Sequence, residues 1–431
     1  MNNFFPAIVI GIFVVLAFGA VTILATFSSG GGEDIGKVEI WGSFSKDIVN
    51  NLLDEVGRAR GDFDNVTYKS FPQDELVPQM VEAIASGTGP DLVIFPASEL
   101  IEHGDKLTAI SFASVSRRDF QDTFIEAGEV LIGDDGLAGL PFVVDPLVLY
   151  WNRTLFSASG IARPPKYWDE VSDDAVKLTK ADKNGTILQS AVALGEWGNV
   201  LYAKEIVLSL LHQLGNPVIS IGQEGGLSTV FAARGAANVA PPGDSVIRFY
   251  TQFADPVKPM YSWNRSQKES RDAFTSGTLG MFAGLASDLI PIRNGNPNLN
   301  FDVAMLPTAR GGGSGIASHM YVLSIPRGSE NPTGALLVAA ALSGIDAQKS
   351  LGVLAKLPSV RRDLLVASPE DQYQVIFRDS ALNAFSFRDP NSSETDAIFK
   401  RLVEGVSSGK LRVSDAVLSA DGELRALLRQ K

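Results

Sequence analysis

The sequence predicts an α/β protein folded as two lobes, and three observations carry that reading. Strand-like and helix-like periods alternate from Val38 onward, which is the pattern of an α/β layer architecture. Asp91-Leu-Val-Ile-Phe95 is a short continuous apolar run, as expected of a strand buried on both faces of a parallel sheet. The chain has 431 residues, which at roughly 150 residues per domain means two or three domains, and beyond Tyr150 the pattern changes to longer helices.

Val38 and Ile40 alternate with Glu39 as in a strand, and Ile48, Val49, Leu52, Leu53 and Val56 recur at helical spacing. Val66 and Tyr68 mark a second strand. Asp74 to Ser86 reads as a helix with Asp74 as N-cap, Pro78 early in it and Gly87 as its stop. The run ending at Phe95 is the third strand. In such sheets ligands bind beyond the carboxyl ends of the strands, which directs attention to the loops Trp41–Ser45, Phe71–Asp74 and Phe95–Glu99. Trp41 itself reads as core at a strand end. In the second lobe, helices are expected over Trp168–Lys180, Leu201–Leu214 and Ser245–Phe253.

The balance of 37 Lys and Arg against 49 Asp and Glu gives a net charge of −12. A surface that tracks phosphates needs the opposite excess, so nucleic acid is not an expected partner. There is no cysteine, hence no disulfide, thiolate metal site, cysteine nucleophile or lipid-bearing N-terminal cysteine. The run from Phe4 to Phe27 carries no charged side chain and is long enough to cross a hydrocarbon core of roughly 30 Å as a helix. It reads as an uncleaved anchor, because a signal peptide would have a shorter apolar stretch, a preceding Lys or Arg and a small-residue cleavage site. Ser28 to Asp34 then reads as a flexible tether.

No enzymatic motif stands out. The three histidines, His103, His212 and His319, are too scattered to suggest a metal-ligand motif, so neither metal nor cofactor is expected. Gly311-Gly-Gly-Ser-Gly315 lacks the Lys-Ser/Thr of a phosphate loop and reads as a turn. Paired carboxylates for glycoside hydrolysis stay open, since their separation is a three-dimensional quantity.

The most informative stretch is Leu140–Phe156, which places one carboxylate, Asp145, in an apolar strand. A carboxylate there is costly unless hydrogen-bonded, and two uses fit it: accepting vicinal sugar hydroxyls, or capping backbone N–H groups at a hinge. Glu196 and Trp197, between Gly195 and Gly198, form a second candidate. The indole either stacks on a pyranose face or anchors the loop as a buried ring.

Leu140–Phe156, then Pro164-Pro-Lys-Tyr-Trp-Asp-Glu-Val171, Ser270–Gly284, Phe301–Pro307, Met320–Pro326 and Leu357-Pro-Ser-Val-Arg361 resemble, in that order, segments of the maltose-type (family 1) extracellular solute-binding proteins of ABC importers. The resemblance runs from Lys37 to the C-terminus. It implies a two-lobed periplasmic-binding-protein-like (type II) fold with a hinge, after an anchor and tether in residues 1–36. Lobe one would take residues 37–143 and 320–378, and lobe two residues 144–319 and 379–431, with crossovers near Asp145, His319 and Leu382. Implied with it are a monomer tethered by its N-terminal helix, a binding domain outside the cytoplasm, a permease partner and a sugar or polyol closed between the lobes. Asp145 matches a sugar-binding acid of the family. Ser43, Phe44, Asp74, Phe95, Ser98 and Glu99 fall in lobe-one contact regions, and Ser287, with Asp288 beside it, falls where maltose binders stack an aromatic. That small residue and the thinner aromatic cluster of lobe two suggest a different or smaller ligand. A ligand-sensing module for a membrane receptor and a glycoside-active enzyme are the alternatives.

Overall fold

The computed structural model describes residues 35–222, 226–233, 240–367 and 371–429. The expected anchor, Phe4 to Phe27, lies outside them. Among the described residues no single helix is long and apolar enough to cross a membrane. The chain divides into two compact units: unit 1 ends its first segment at Val144 and takes Met320–Ala367, and unit 2 takes Asp145–His319 and the residues after Ala367.

Unit 1 begins with strand β1 (Val38–Gly42), helix α1 (Lys46–Arg60), strand β2 (Val66–Ser70), helix α2 (Gln73–Ser86) and strand β3 (Leu92–Pro96). β1 pairs in parallel with both β2 and β3. In α1 the residues Val49, Leu52, Leu53 and Val56 are buried, as their spacing requires, and Gly61 closes the helix in the left-handed conformation. α2 starts one residue earlier than expected and its N-cap is Pro72. Asp74 instead sits in the first turn, where a carboxylate is favoured by the helix dipole without capping it. All five residues of β3 are buried, so the apolar run is explained by sheet packing.

Strand β4 (Leu140–Asn152) carries the chain out of unit 1, the division falling between Val144 and Asp145 inside the strand. Unit 2 then builds helix α3 (Trp168–Leu178), strand β5 (Ile187–Val192), helix α4 (Ala203–Gln213), helix α5 (Pro242–Thr251), helix α6 (Ser270–Thr275), strand β6 (Leu279–Leu285) and strand β7 (Phe301–Met305). The Leu147–Asn152 part of β4 is flanked by β6 and β7, both antiparallel to it, and β6 pairs in parallel with β5. Its core holds fully buried rings of Tyr150, Phe274 and Phe282.

Strand β8 (Ile316–Pro326) returns the chain to unit 1, dividing between His319 and Met320, and Tyr321–Ser324 pair antiparallel with β3. Helices α7 (Pro332–Leu342) and α8 (Ile345–Ala355) complete that unit, α8 packing on α1. Helix α9 (Gln372–Leu382) belongs to unit 2, against β7. This corrects the expected crossover near Leu382 and the assignment of residues up to 378 to lobe one. The reason is local: Phe377 is fully buried, Gln372 donates to Asp302 at 3.0 Å and Arg293 donates to the Tyr373 hydroxyl at 2.6 Å. Helices α10 (Ser392–Ser407) and α11 (Val413–Leu428) pack on each other to end the described chain.

Candidate functional site

In unit 1 the sequence candidates gather at one edge. Ser43 and Phe44 follow β1, Asp74 opens the helix after β2, and Ser98 and Glu99 lie on the 3-10 turn Ala97–Glu99 after β3. These are the carboxyl ends of three adjacent parallel strands. Ser43, Phe44, Ser98 and Glu99 are half-buried and Asp74 is exposed. The Phe44 ring meets Tyr321 edge-on at 4.8 Å and Phe142 at 6.1 Å, while its carbonyl accepts from the Tyr68 and Ser70 hydroxyls, each at 2.9 Å. Phe95 departs from expectation. It is 0% exposed, and as a core ring of β3 it is not available as a contact.

Unit 2 brings Asp145 and Ser287 together. The strand β6 ends at Leu285 and a 3-10 turn, Ala286–Asp288, presents the Ser287 N–H to Asp145 Oδ1 at 3.0 Å. Asp145 is 6% exposed. Burial pushes its carboxyl up to about 6, against the stabilising effect of the Ser287 hydrogen bonds and of His319. The same turn is held by Asp288, which accepts from the Leu285 N–H at 2.9 Å and from Arg271 at 3.1 Å. Gly284 makes this possible, since a Cβ there would stand 2.9 Å from Asp288 Oδ2 and closer still to the Phe282 ring. From below, the Tyr150 hydroxyl donates to the carbonyls of Leu285 and Ala286 at 2.8 and 3.1 Å. Next to this turn, the Tyr202 hydroxyl bonds Asp288 and its ring meets His319 edge-on at 6.1 Å. His319 Nε2 lies 3.0 Å from Glu205 Oε1. Burial opposes the imidazolium, yet the Glu205 hydrogen bond and the charges of Glu205 and Asp145 raise its pKa above the ordinary value.

Glu196 and Trp197 are built differently. Glu196 is 7% exposed, takes Arg265 Nε at 2.9 Å, and its carbonyl accepts from the Tyr250 hydroxyl at 2.8 Å. Trp197 is 7% exposed and lies parallel to Phe399, with ring centroids 6.3 Å apart. A ring packed in this way anchors its loop, so of the two sequence readings the structure has the loop anchor and not an open stacking face. Gly195, at φ +98, is needed where a Cβ would stand 2.6 Å from the Ala254 nitrogen, whereas a Cβ on Gly198 would meet open space.

The histidines do not converge, but His103 joins Glu99 and Glu102 on one surface turn, with ligand atoms all within 4.8 Å. All three side chains are half-exposed and at ion-pair separations of 3.8 and 4.0 Å from His103, the geometry of a solvated cluster. The glycine run 311–315 is pinned by Gln213, which accepts from the Ala309 N–H and donates to the Gly315 carbonyl. It borders an open depression of about 400 Å³, whose Arg310 is committed to Asp169, Glu170 and the face of Tyr167.

Sequence reasoning pointed to Asp288 only as the neighbour of Ser287, and missed Tyr202, Glu205 and Arg271 as members of the Asp145 cluster. Arg271 and Asp288 carried the one usable signal, since they bracket the F-x-x-Gly turn and the strand after it.

The comparisons with known proteins agree with this architecture. A Brucella abortus chain whose name proposes no more than a binding role is 26% identical over 255 residues, and the match spans 58% of this chain and 57% of the relative's length. Among solved structures, a cyclic α-maltosyl-1,6-maltose binding protein from Arthrobacter globiformis superposes with a TM-score of 0.75 at 16% identity, over 92% of this chain and 99% of that one. An ABC transporter solute-binding protein from Thermotoga lettingae, bound with α-D-tagatose, gives 0.68 at 18% identity, over 91% and 99%. These likenesses establish the fold. The sequence pattern of one family matches residues 59–349, more than half of the chain. The chain belongs to the bacterial extracellular solute-binding proteins.

Proposed function

We propose that this chain is the extracytoplasmic binding subunit of an ABC importer and that it captures a carbohydrate or polyol for a permease. Family membership and neighbours that bind a cyclic maltosyl-maltose and tagatose support the class of ligand. The observation that carries the reading is Asp145, a buried carboxylate whose burial cost is offset by the N–H of Ser287 rather than by a permanent cation. Such a group is a strong acceptor for vicinal hydroxyls. Ser43, Phe44, Asp74, Ser98 and Glu99 are the proposed contacts of unit 1, and Asp145 and Ser287 those of unit 2. The protein acts as a monomer and without chemistry on its ligand, held at the membrane by Phe4 to Phe27.

Thermal-shift measurements on the full chain against a panel of sugars and polyols test this, because a ligand at 100 times its dissociation constant adds about 2.7 kcal/mol. A bound sugar should be recovered unaltered. Stabilisation by amino acids or peptides and by no sugar or polyol would replace the ligand class, and recovery of cleaved oligosaccharide would replace binding by catalysis. Retention of the protein in carbonate-washed membranes checks the anchor, which a mature form beginning after residue 20 would refute.

A further inference from the structure

Among the described residues the buried acids are Asp145, Asp174, Glu196, Asp288, Asp389 and Asp421, and all of them belong to unit 2. Five have a cation of their own. Asp174 has Lys177 at 3.7 Å, Glu196 has Arg265 at 2.9 Å and Asp288 has Arg271 at 3.1 Å. Asp389 has Lys204 at 2.6 Å and Asp421 has Arg425 at 2.7 Å. Even the half-buried Glu205 has His319 at 3.0 Å. Asp145 is the exception: among the described residues no lysine, arginine or histidine nitrogen comes within the 4.0 Å of an ion pair. Its hydrogen bond at 3.0 Å comes from the Ser287 N–H, a neutral donor. An anion out of water and without a counter-charge is the costliest case of burial. Nor can the cations named here be borrowed, because moving Arg271, His319 or Lys204 to Asp145 would strip Asp288, Glu205 or Asp389.

We propose that Asp145 recognises a ligand that brings its own positive charge, and that the carbohydrate taken by this chain bears an amine whose protonated form binds the Asp145 carboxylate. The inference rests on the function proposed above and narrows its ligand class. An ammonium supplies both the missing counter-charge and N–H donors, and a hydrogen bond with charge on both partners is about twice as strong as a neutral one. On a sugar ring the amine and an adjacent hydroxyl can share the two carboxylate oxygens. A neutral sugar offers donors but leaves the charge uncompensated, and an acidic sugar sets a second anion against it. Taken by itself, the carboxyl edge of unit 1 has the same sign. Its loops Trp41–Ser45, Phe71–Asp74 and Phe95–Glu99 carry Asp74 and Glu99 and neither lysine nor arginine. Lys46 and Lys69 flank them in α1 and β2, and the Lys69 ammonium lies over the rings of Trp41 and Phe71 at 4.6 and 4.8 Å.

Calorimetric titration of the full chain near neutral pH tests this with matched pairs. D-Glucosamine, D-galactosamine, D-mannosamine and the chitosan disaccharide are compared with D-glucose, D-galactose, D-mannose and cellobiose, and with the N-acetylated forms. At least one amino sugar should bind about tenfold or more tightly than its hydroxyl counterpart, and acetylation of the amine should remove the gain. Asp145→Asn should abolish the preference while keeping the parent circular dichroism. Glu196→Gln, which removes a buried carboxylate that has its own arginine, should leave the preference intact. Neutral sugars bound as tightly as their amino counterparts, or a preference that survives Asp145→Asn, overturn this inference and leave the carbohydrate reading standing. Failure of every amino sugar to bind overturns it as well, and binding of spermidine or lysine with no sugar bound overturns both readings. If Asp145→Asn does not fold, the matched pairs on the parent protein decide alone.

Discussion

Asp145 and Glu196 are two carboxylates of the same unit, 6% and 7% exposed, and they solve the cost of burial in different ways. Glu196 has Arg265 on it at 2.9 Å and follows a loop whose next residue, Trp197, is stacked on Phe399. Asp145 has the Ser287 N–H, the titratable His319 and the repulsion of Asp288. The first arrangement is complete as it stands, with charge neutralised and ring covered. The second leaves an anion under-compensated, which costs stability, and on the function proposed above a ligand would supply the missing hydrogen bonds. Equal burial thus separates into a compensated carboxylate and an under-compensated one once the partners are counted.

The comparison can be broken most strongly at the anchor. Trp197→Ala or Phe399→Ala should cost about 3–5 kcal/mol in denaturant unfolding, the range for losing a large buried ring, with sugar affinity of the folded fraction unchanged. A variant that keeps its stability but loses binding would make Trp197 a ligand contact and remove the distinction.

Asp145→Asn should do the reverse. The native carboxyl sits at about 6, above its unfolded value, so the native state holds its proton more tightly than the unfolded chain. The stability contributed by that proton is present at low pH and is lost as pH rises from about 4 through about 6. Replacing the group with a neutral amide should therefore raise stability at pH 7 by on the order of 2–3 kcal/mol, while weakening sugar binding by about 1.5–3 kcal/mol. Melting curves recorded across pH 4 to 7 should lose the corresponding slope. If the variant is less stable than the parent at pH 7, Asp145 is a structural cap.

The smallest effect is expected at Glu196→Gln. Arg265 is 58% exposed, so the pair is screened by solvent, and its loss should cost about 1 kcal/mol or less. Calorimetry should find sugar affinity within error of the parent, and a tenfold loss would place Glu196 in the site after all.

What was legible in the sequence was whatever is encoded locally. The helical spacing of Ile48 through Val56 and the apolar run at Leu92–Phe95 produce α1 and β3 because each is decided by its own side chains. Asp145 was legible because a charge inside an apolar strand is anomalous on its face. The rest depended on distant partners. Whether Glu196 is free is decided by Arg265, 69 positions further on, and whether Trp197 is open is decided by Phe399 on α10. Phe95 looked like a loop residue because the strand continues one position beyond it, through Pro96. Helix α9 was assigned to the wrong unit because its own periodicity is indifferent to which sheet receives it, and contacts to Asp302 and Arg293 decide.

The pairing of β8 with β3 also sets a schedule for biosynthesis. Pro96 is joined to Tyr321, and Phe95 to Val322, so about 225 residues must be translated before this edge of β3 finds its partner. At roughly 5–20 residues per second the interval is on the order of ten to fifty seconds. During it a strand of five apolar residues presents unpaired amides to the cell, the condition under which strands recruit one another. The yield of folded protein should therefore respond to the speed of the ribosome between residues 97 and 320.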